Sequence, residues 1–539
     1  MTGKRSHPIP SATMEPSASA TPPPPPAKMQ CTGTHEYTRP LSLHEEIQLT
    51  AAEEKLFEFL LDVEKQYGCK AVLRVAGGWV RDKLLGRNSD DIDIVLDTMT
   101  GKEFADLINA YETDHGHKQH PVGIIKANPD QSKHLETATM QLGDGWVDFV
   151  NLRAETYSED HRIPEVEFGT PVQDAERRDF TINSLFYNIS EKTIEDFTQR
   201  GVEDLRNGIV RTPLDPRVTF LDDPLRVLRA VRFASRFNFE LHDEIREAVD
   251  LPEVKEALVK KVSRERVGKE LLGMLTGSSA HPERALKTMH ELRLCRAVFL
   301  PPLSQDIYNA DGSVSDYNTL SADATWDKGY VYAARMYELL RSQAASGIVD
   351  VSKMTEAEQN DLKLRVFAAF LLPLASNYVL VKKREVALPT FIIRETLKLR
   401  NRDAEDVGNI ILKYYAELEN ATKTTFDRVN VGLLLRNVGA LWPLGRDLAM
   451  VKELTHAESP DLATAIVARY ESFSNAVITE NLDGIWDMRP LLNGNDIIKV
   501  LGVKPGPDVK ATMEKVVQWQ LGNPSRTREE CLEHFRQMV

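Results

Sequence analysis

Apolar residues recur through Ala51 to Tyr67 at helical spacing, which predicts an amphipathic helix at the start of the organised chain. A short apolar run, Val72 to Ala76, predicts a strand. Gly77 and Gly78 interrupt it, a helix follows from about Trp79 to Leu85, and Gly86 closes that helix as glycines past helix ends commonly do. Ile92 to Leu96 predicts a second strand. His134 to Leu142 and Trp146 to Leu152 predict two more, paired through the turn Gly143-Asp144-Gly145. Beyond Leu300 the pattern turns to helices separated by polar loops; Ser304 to Asp327 is long enough to be mobile. Near the end, Gly502 to Pro507 reads as a turn between two helices, one that could present amides to a phosphate. The fold class expected is α+β, a small mixed β-sheet followed by a mostly α-helical remainder.

At 539 residues the chain should hold roughly two to four compact regions, because single cores stop growing near ~250 to 300 residues. Apolar residues at 42% and charged residues at 27% are the balance of a globular protein. The longest notable apolar stretch, Val366 to Ala375, is far short of the ~18 residues of a membrane span, so no membrane helix is expected. Cys31, Cys69, Cys295 and Cys531 lack metal-ligand spacing and form no evident disulfide framework, which fits a reducing compartment. Residues 1–38, rich in Pro, Ser and Thr, bury too little apolar surface to fold and are expected to be a disordered tail. Lys4 and Arg5, without acidic neighbours before Met14, give that tail a weak transit-peptide character; a spacer is the alternative.

A net charge of −14 excludes a protein that coats nucleic acid through bulk electrostatics, so any such contact must be local. Local basic clusters occur at Arg226, Arg229, Arg232 and Arg236, at Lys260, Lys261, Arg264, Arg266 and Lys269, and at Lys382, Lys383 and Arg384. Each is also readable as a solvated helix face.

The strand, glycine pair, helix and strand around Gly77 form an α/β unit whose turn directs backbone amides outward, suited to an anionic phosphate. A plain tight turn is the alternative. Asp91 and Asp93 stand two apart on the second strand and so point to one face. Two carboxylates on one face repel unless a cation lies between them, and a pair of Mg²⁺ ions meets that need while serving phosphoryl chemistry. An acidic strand start open to solvent is the competing reading, which the preceding glycine turn weakens. Asp90 should face away from the pair. Asp148, between Val147 and Phe149, is a candidate third metal carboxylate, because a charge inside such a run is costly to bury unpaired; an edge-strand position facing solvent is the alternative.

The segments LRVAGGWVRDKLLG and DIDIVL, then RRDFTINSLFYN from Arg177 and DDPLRVLRAVRFASRF from Asp222, resemble the class II tRNA nucleotidyltransferases. SKHLETAT, WVDFVNLR and FLDDPLRVLRAVRFASRFNF resemble the fungal CCA-adding enzymes. The likeness is ordered from about residue 45 to 300 and weaker beyond. It implies a catalytic nucleotidyltransferase head (39–190), a helical neck that selects the nucleotide (191–300), a helical body (301–480) and a helical tail that binds tRNA (481–539). It implies Asp91 and Asp93 as catalytic metal carboxylates. Gly77, Gly78 and Arg81 would handle the triphosphate, and Arg178 and Asp179 the nucleotide's sugar and phosphate. Asp196 to Gly201 matches a hinge motif with looser glycine spacing, and Glu265, Arg266 and Glu270 match a motif that stabilises the neck. The implied activity is template-independent addition of CCA to tRNA from CTP and ATP, with two Mg²⁺ ions, by in-line attack of the tRNA 3′-hydroxyl on the α-phosphate. A monomer is expected, in cytoplasm and nucleus, with a mitochondrial form possible through the N-terminal extension. A poly(A) polymerase of the same superfamily and a catalytically silent RNA-binding protein are the alternatives; the intact Asp91/Asp93 pair counts against the second.

Asp223 and Arg226 are three apart and would share a helix face, with Arg229 one turn on. A carboxylate only accepts and a guanidinium only donates hydrogen bonds. Cytosine and adenine each offer an amino donor beside a ring-nitrogen acceptor, whereas uracil and guanine reverse both, so the pair would admit C and A. The competing reading is a basic helix face with Asp222 and Asp223 as its cap and Pro224 in the first turn.

Overall fold

The computed structural model describes residues 41–537 apart from 90, 126–136, 144, 159–160, 278–279, 303, 345–346 and 348. The expected tail 1–38, Asp90, the first residues of the strand predicted from His134, and Asp144 of its turn therefore lie outside the described residues.

Helix α1 (Ala51–Tyr67) starts at a capping box, in which Thr50 and Glu53 exchange side-chain-to-backbone hydrogen bonds and satisfy two of the first turn's free amides. The chain then forms β1 (Arg74–Ala76), α2 (Gly78–Leu84), β2 (Ile92–Leu96), α3 (Gly101–Asp114), β3 (Val122–Ile125), β4 (Thr137–Leu142) and β5 (Gly145–Asn151). It continues through β6 (Arg153–Ser158), β7 (His161–Phe168), α4 (Pro171–Glu176), β8 (Phe186–Asn188) and β9 (Thr193–Glu195). Seven strands make one mixed sheet in the order β3-β4-β5-β2-β1-β8-β9, with β2 and β5 parallel and the remaining pairs antiparallel; β6 and β7 pair with each other. The α+β class and the N-terminal mixed sheet agree with the expectation.

Alternation along β2 and β5 decides which side chains enter the core. Ile94, Leu96, Val147 and Phe149 join Phe57, Leu60, Phe104 and Ile108 of α1 and α3 in the main apolar cluster. Val95, with partly buried Val150, instead packs with Ala76, Leu152, Ala175 and Phe186 in a smaller cluster. Asp93 and Asp148 fall on this second side.

After the sheet come α5 (Gly201–Asn207), β10 (Ile209–Val210), α6 (Pro216–Asp222), α7 (Leu225–Phe237), β11 (Glu240–Leu241), α8 (Asp243–Asp250), α9 (Pro252–Lys261) and α10 (Arg264–Leu275). Apolar residues on α7 and α10 belong to the main cluster, so the sheet and these helices share one core. Asp196 to Gly201 is a tightly bonded turn: the Asp196 carboxylate accepts from Thr198 Oγ1 at 2.7 Å and from the Val202 amide at 3.0 Å.

Two expectations for the C-terminal half need correction. The segment 304–327 is not one long loop, since it contains β12 (Ile307–Tyr308), helix Tyr317–Ser321 and the start of helix Asp323–Gln343. Tyr308 stacks on Tyr378 at 5.4 Å, which ties β12 to β13 (Tyr378–Val381) and, beyond it, β14 (Arg384–Ala387). Lys382, Lys383 and Arg384 accordingly sit on a hairpin and not on a helix face. The segment Gly502 to Pro507 does join two helices, Gly494–Lys499 and Pro507–Gly522. No helix among the described residues is long and apolar enough to cross a membrane.

Candidate active site

Residues Asp93 and Asp148 are register partners across the parallel β2–β5 pair, so the three carboxylates Asp91, Asp93 and Asp148 meet on one side of the sheet. Thr139 of β4, the partner of Asp148 on its other flank, donates its hydroxyl to Asp148 Oδ1 at 2.6 Å and fixes that side chain. Asp93 keeps a solvent-exposed edge, yet the packed protein around it is the first cause that pushes its carboxyl above its ordinary value. The Arg178 guanidinium opposes that shift, and the charges of Asp148 and Asp91 add to it. Such crowding is relieved by a hard cation. Among the described residues no group of three or more His, Cys, Asp or Glu is placed to hold a metal ion. Mg²⁺ commonly binds through one or two carboxylates and completes its shell with water and phosphate oxygens.

Over this site the Gly77 backbone turns with φ 75° and ψ −121°, outside the range of β-carbon-bearing residues, and its amide donates to Leu185 O at 2.8 Å. A Cβ at position 77 would lie 2.9 Å from Arg178 Nη1. The turn is therefore glycine both for its dihedrals and for the guanidinium that packs against it. Gly77→Ala is expected to lower unfolding stability by ~1 to 3 kcal/mol, the scale of a forced backbone outlier. An unchanged urea midpoint would mean that the turn relaxes freely.

Arg178 is set by a residue that the sequence reading overlooked. Fully buried Asp174 accepts from Arg178 Nε and Nη2 at 3.0 and 2.9 Å, and from Arg177 Nε and Nη2 at 3.0 and 2.6 Å. Burial alone would raise the Asp174 carboxyl, but the charges of Arg178 and Arg177 hold it down at about 2. The signal was present as an acid three and four residues before an Arg pair. Asn183, inside the RRDFTIN segment, is a second omission. Its side chain donates to Asp179 at 3.0 Å and accepts from Arg81, while its carbonyl accepts from Arg178 at 3.4 Å.

Arg81 points inward. It is 4% exposed, pairs with Asp82 at 2.9 Å and lies over the Phe237 ring at 4.6 Å. In this arrangement it braces α2 against α7, whereas Arg178 faces the carboxylates. Asp179 is also buried. Its carboxyl is pushed up by burial but held below its ordinary value by Arg229, which donates from Nε at 2.8 Å and lies 2.6 Å away through Nη2. Arg229 reaches Glu270 as well, at 3.7 Å, and Arg232 pairs with Glu270 at 2.6 Å. The Arg cluster of α7 is thus no solvated face: Arg229 and Arg232 bridge to Glu270 of α10, and Arg229, Arg232 and Arg236 interleave with Phe233 and Phe237. Glu265 stands exposed in the first turn of α10, near its positive dipole end.

Asp223 and Arg226 do not share a helix. The residue before a proline is pushed out of the helical region, and Asp223 is extended at φ −130°, ψ 96°, closing α6 while Pro224 caps α7. Asp222, a candidate cap in the competing reading, is the last residue of α6. The two side chains remain electrostatic neighbours: burial raises the Asp223 carboxyl, while Arg266 first and Arg226 after it hold it below its ordinary value. Arg266 of α10 grips Asp223 through both nitrogens, Nη1 to Oδ1 at 3.2 Å and Nη2 to Oδ2 at 2.9 Å. The Leu225 amide takes a further position on Oδ1 at 3.3 Å, leaving an acceptor position on Oδ2. Arg226 donates from Nη2 to Arg177 O at 2.6 Å, which holds the head of α7 beside the Arg177-Arg178 segment.

Residues 73–211 match the family described as the Poly A polymerase head domain. The chain is 36% identical over 521 residues to the mitochondrial CCA tRNA nucleotidyltransferase of Candida glabrata, covering 92% of this chain and 96% of that one. It is 34% identical over 530 residues to the mitochondrial CCA tRNA nucleotidyltransferase of Saccharomyces cerevisiae, covering 92% and 94%. Among solved structures, a CCA-adding enzyme in its apo form II superposes with a TM-score of 0.58 at 20% identity, over 91% of this chain and 97% of that one. The Thermotoga maritima CCA-adding enzyme complexed with tRNA superposes with a TM-score of 0.55 at 19% identity, over 91% and 96%. Both structural likenesses concern the fold.

Proposed function

This chain belongs to the CCA tRNA nucleotidyltransferases, and we propose that it builds the CCA triplet on tRNA 3′ ends from CTP and ATP at the Asp91, Asp93 and Asp148 site. The observation that carries the reading is the in-register pairing of Asp93 with Asp148 beneath the Gly77 turn and beside Arg178. Mg²⁺, held by Asp91 and Asp93 with Asp148 alongside, would make the 3′-hydroxyl a better nucleophile and offset charge on the α-phosphate. The chain's own groups do the positioning. Arg178, pinned by Asp174, supplies a cation for the triphosphate, and the turn at Gly77 and Gly78 lets the phosphates approach the backbone. Asp179 and Arg229 lock the head to the neck, so that the nucleotide's sugar meets a fixed wall.

For base choice, Asp223 offers its remaining acceptor position and Arg226 its donors, and Arg266 orients the carboxylate. The Arg229 guanidinium, committed to Asp179 and Glu270, acts in this scheme as a positioning residue behind Arg226. We keep the division into head (39–190), neck (191–300), body (301–480) and tail (481–539), with tRNA running along the last two. A mitochondrial form fits the names of the two yeast relatives; nuclear and cytoplasmic pools complete the proposal.

The test is an extension assay with purified protein, Mg²⁺ and a tRNA transcript ending before the CCA. Two additions with CTP alone and a third only with ATP present are expected. Long adenosine tails would identify a poly(A) polymerase instead, and no extension would leave a binding protein.

A further inference from the structure

Far along the chain from the catalytic residues, the hairpin β13–β14 carries a feature that neither packing nor turn chemistry explains. Val381 pairs with Arg384, so Lys382 and Lys383 form a two-residue loop. Both have positive φ, 49° and 65°. A two-residue hairpin loop of that shape favours Asn-Gly, because side chains bearing a full Cβ resist it. Two lysines are an unfavourable choice for folding. They are also exposed, as is Arg384, and among the described residues none of the three has an ion pair or side-chain hydrogen bond. Among the described residues some exposed lysines are paired with carboxylates, as Lys102 is with Asp106 and Lys260 with Glu256, and others such as Lys55, Lys118 and Lys192 are not, but the hairpin tip sets three unpaired cations side by side. The one acidic residue of the hairpin strands, Glu385, pairs across with Leu380 and so points to the face opposite Arg384.

We propose that this tip is a contact for the phosphodiester backbone of the RNA substrate, a local cationic finger on a chain of net charge −14. The assignment rests on the reading that the protein acts on tRNA. Three unpaired cations at one tip, with the exposed Leu380 on the strand face opposite Arg384, suit sequence-independent phosphate contact, whose strength comes from counterion release.

The test replaces the tip by Lys382→Asn, Lys383→Gly and Arg384→Gln, which satisfies the positive-φ positions while removing all three charges. Binding of a tRNA transcript lacking CCA is measured by filter retention across KCl concentrations, with Tm and the KM for CTP alongside. At low salt the Kd is expected to rise about tenfold, and the log Kobs against log salt slope to become shallower by roughly two, as loss of two to three phosphate contacts requires. Tm should stay or rise, and the KM for CTP should not move. A variant with the parent's Kd and salt slope overturns the proposal. If the Asn-Gly variant does not fold, replacing all three residues by Gln provides the same readout. A parent protein that neither binds nor extends tRNA would instead refute the tRNA reading, and this proposal with it, whereas an active parent with an unaltered variant refutes the hairpin alone.

Discussion

Asp93→Asn is expected to cut the transfer rate by about three orders of magnitude or more, because several kcal/mol of charge stabilisation at the transferring phosphate would be lost. The substitution is nearly isosteric, so the sheet should survive it. Stability should even favour the variant in metal-free buffer. Burial, with Asp148 and Asp91 beside it, pushes the Asp93 carboxyl above its ordinary value. The folded protein therefore holds the proton to higher pH than the unfolded chain does. Native protein binding more protons means that stability falls as pH rises through the carboxylate range and beyond to the raised folded value. Asp93→Asn removes that loss, so its Tm at neutral pH in EDTA should equal or exceed the parent's. Steady-state extension assays and thermal melts together check both halves. Retained activity above a few per cent would refute the metal assignment, and a large drop in Tm would mean that Asp93 is a folding residue instead.

The second large effect falls on base choice. Asp223→Ala or Arg226→Ala should leave the metal site intact while narrowing the preference for CTP over UTP by about a few hundredfold or more, within the worth of two mismatched buried hydrogen bonds at ~1 to 3 kcal/mol each. The structure adds a third variant that sequence spacing did not point to. Arg266 holds both Asp223 oxygens, so Arg266→Ala should release the carboxylate and lower selectivity without touching the nucleotide. Arg266→Lys, which restores charge but not the two-nitrogen grip, should recover part of it. Single-turnover rates with each of the four nucleotides give the ratios. Selectivity unchanged in Asp223→Ala would remove the pair from base recognition, and an unchanged ratio in Arg266→Ala alone would remove only the positioning role.

The legible parts of this protein were those encoded within a few residues. Strand, glycine pair, helix and strand from Val72 to Leu96 follow from periodicity and from residues with special backbone freedom, and the observed bounds differ by two residues or fewer. The acidic pair at Asp91 and Asp93 needed only the two-residue repeat of a strand. Two errors had local causes. Pro224 should have signalled that Asp223 leaves the helix, and the run Tyr378 to Ala387 was too short, and its Lys-Lys turn too atypical, to be read as a hairpin.

What the sequence by itself determined is the chemistry available: which carboxylates, which arginines, and a glycine turn able to approach phosphate. Tertiary structure alone decided how they act. Asp148 became the neighbour of Asp93 because β5 pairs in parallel with a strand some fifty residues earlier, a register that no local pattern specifies. Arg178 is held by Asp174, a neighbour four residues earlier that the sequence does offer, whereas Arg81 turned away from the carboxylates because only the folded chain brings Phe237 beside it. A guanidinium's role is set by whichever partner burial places beside it, and burial is a property of the whole chain.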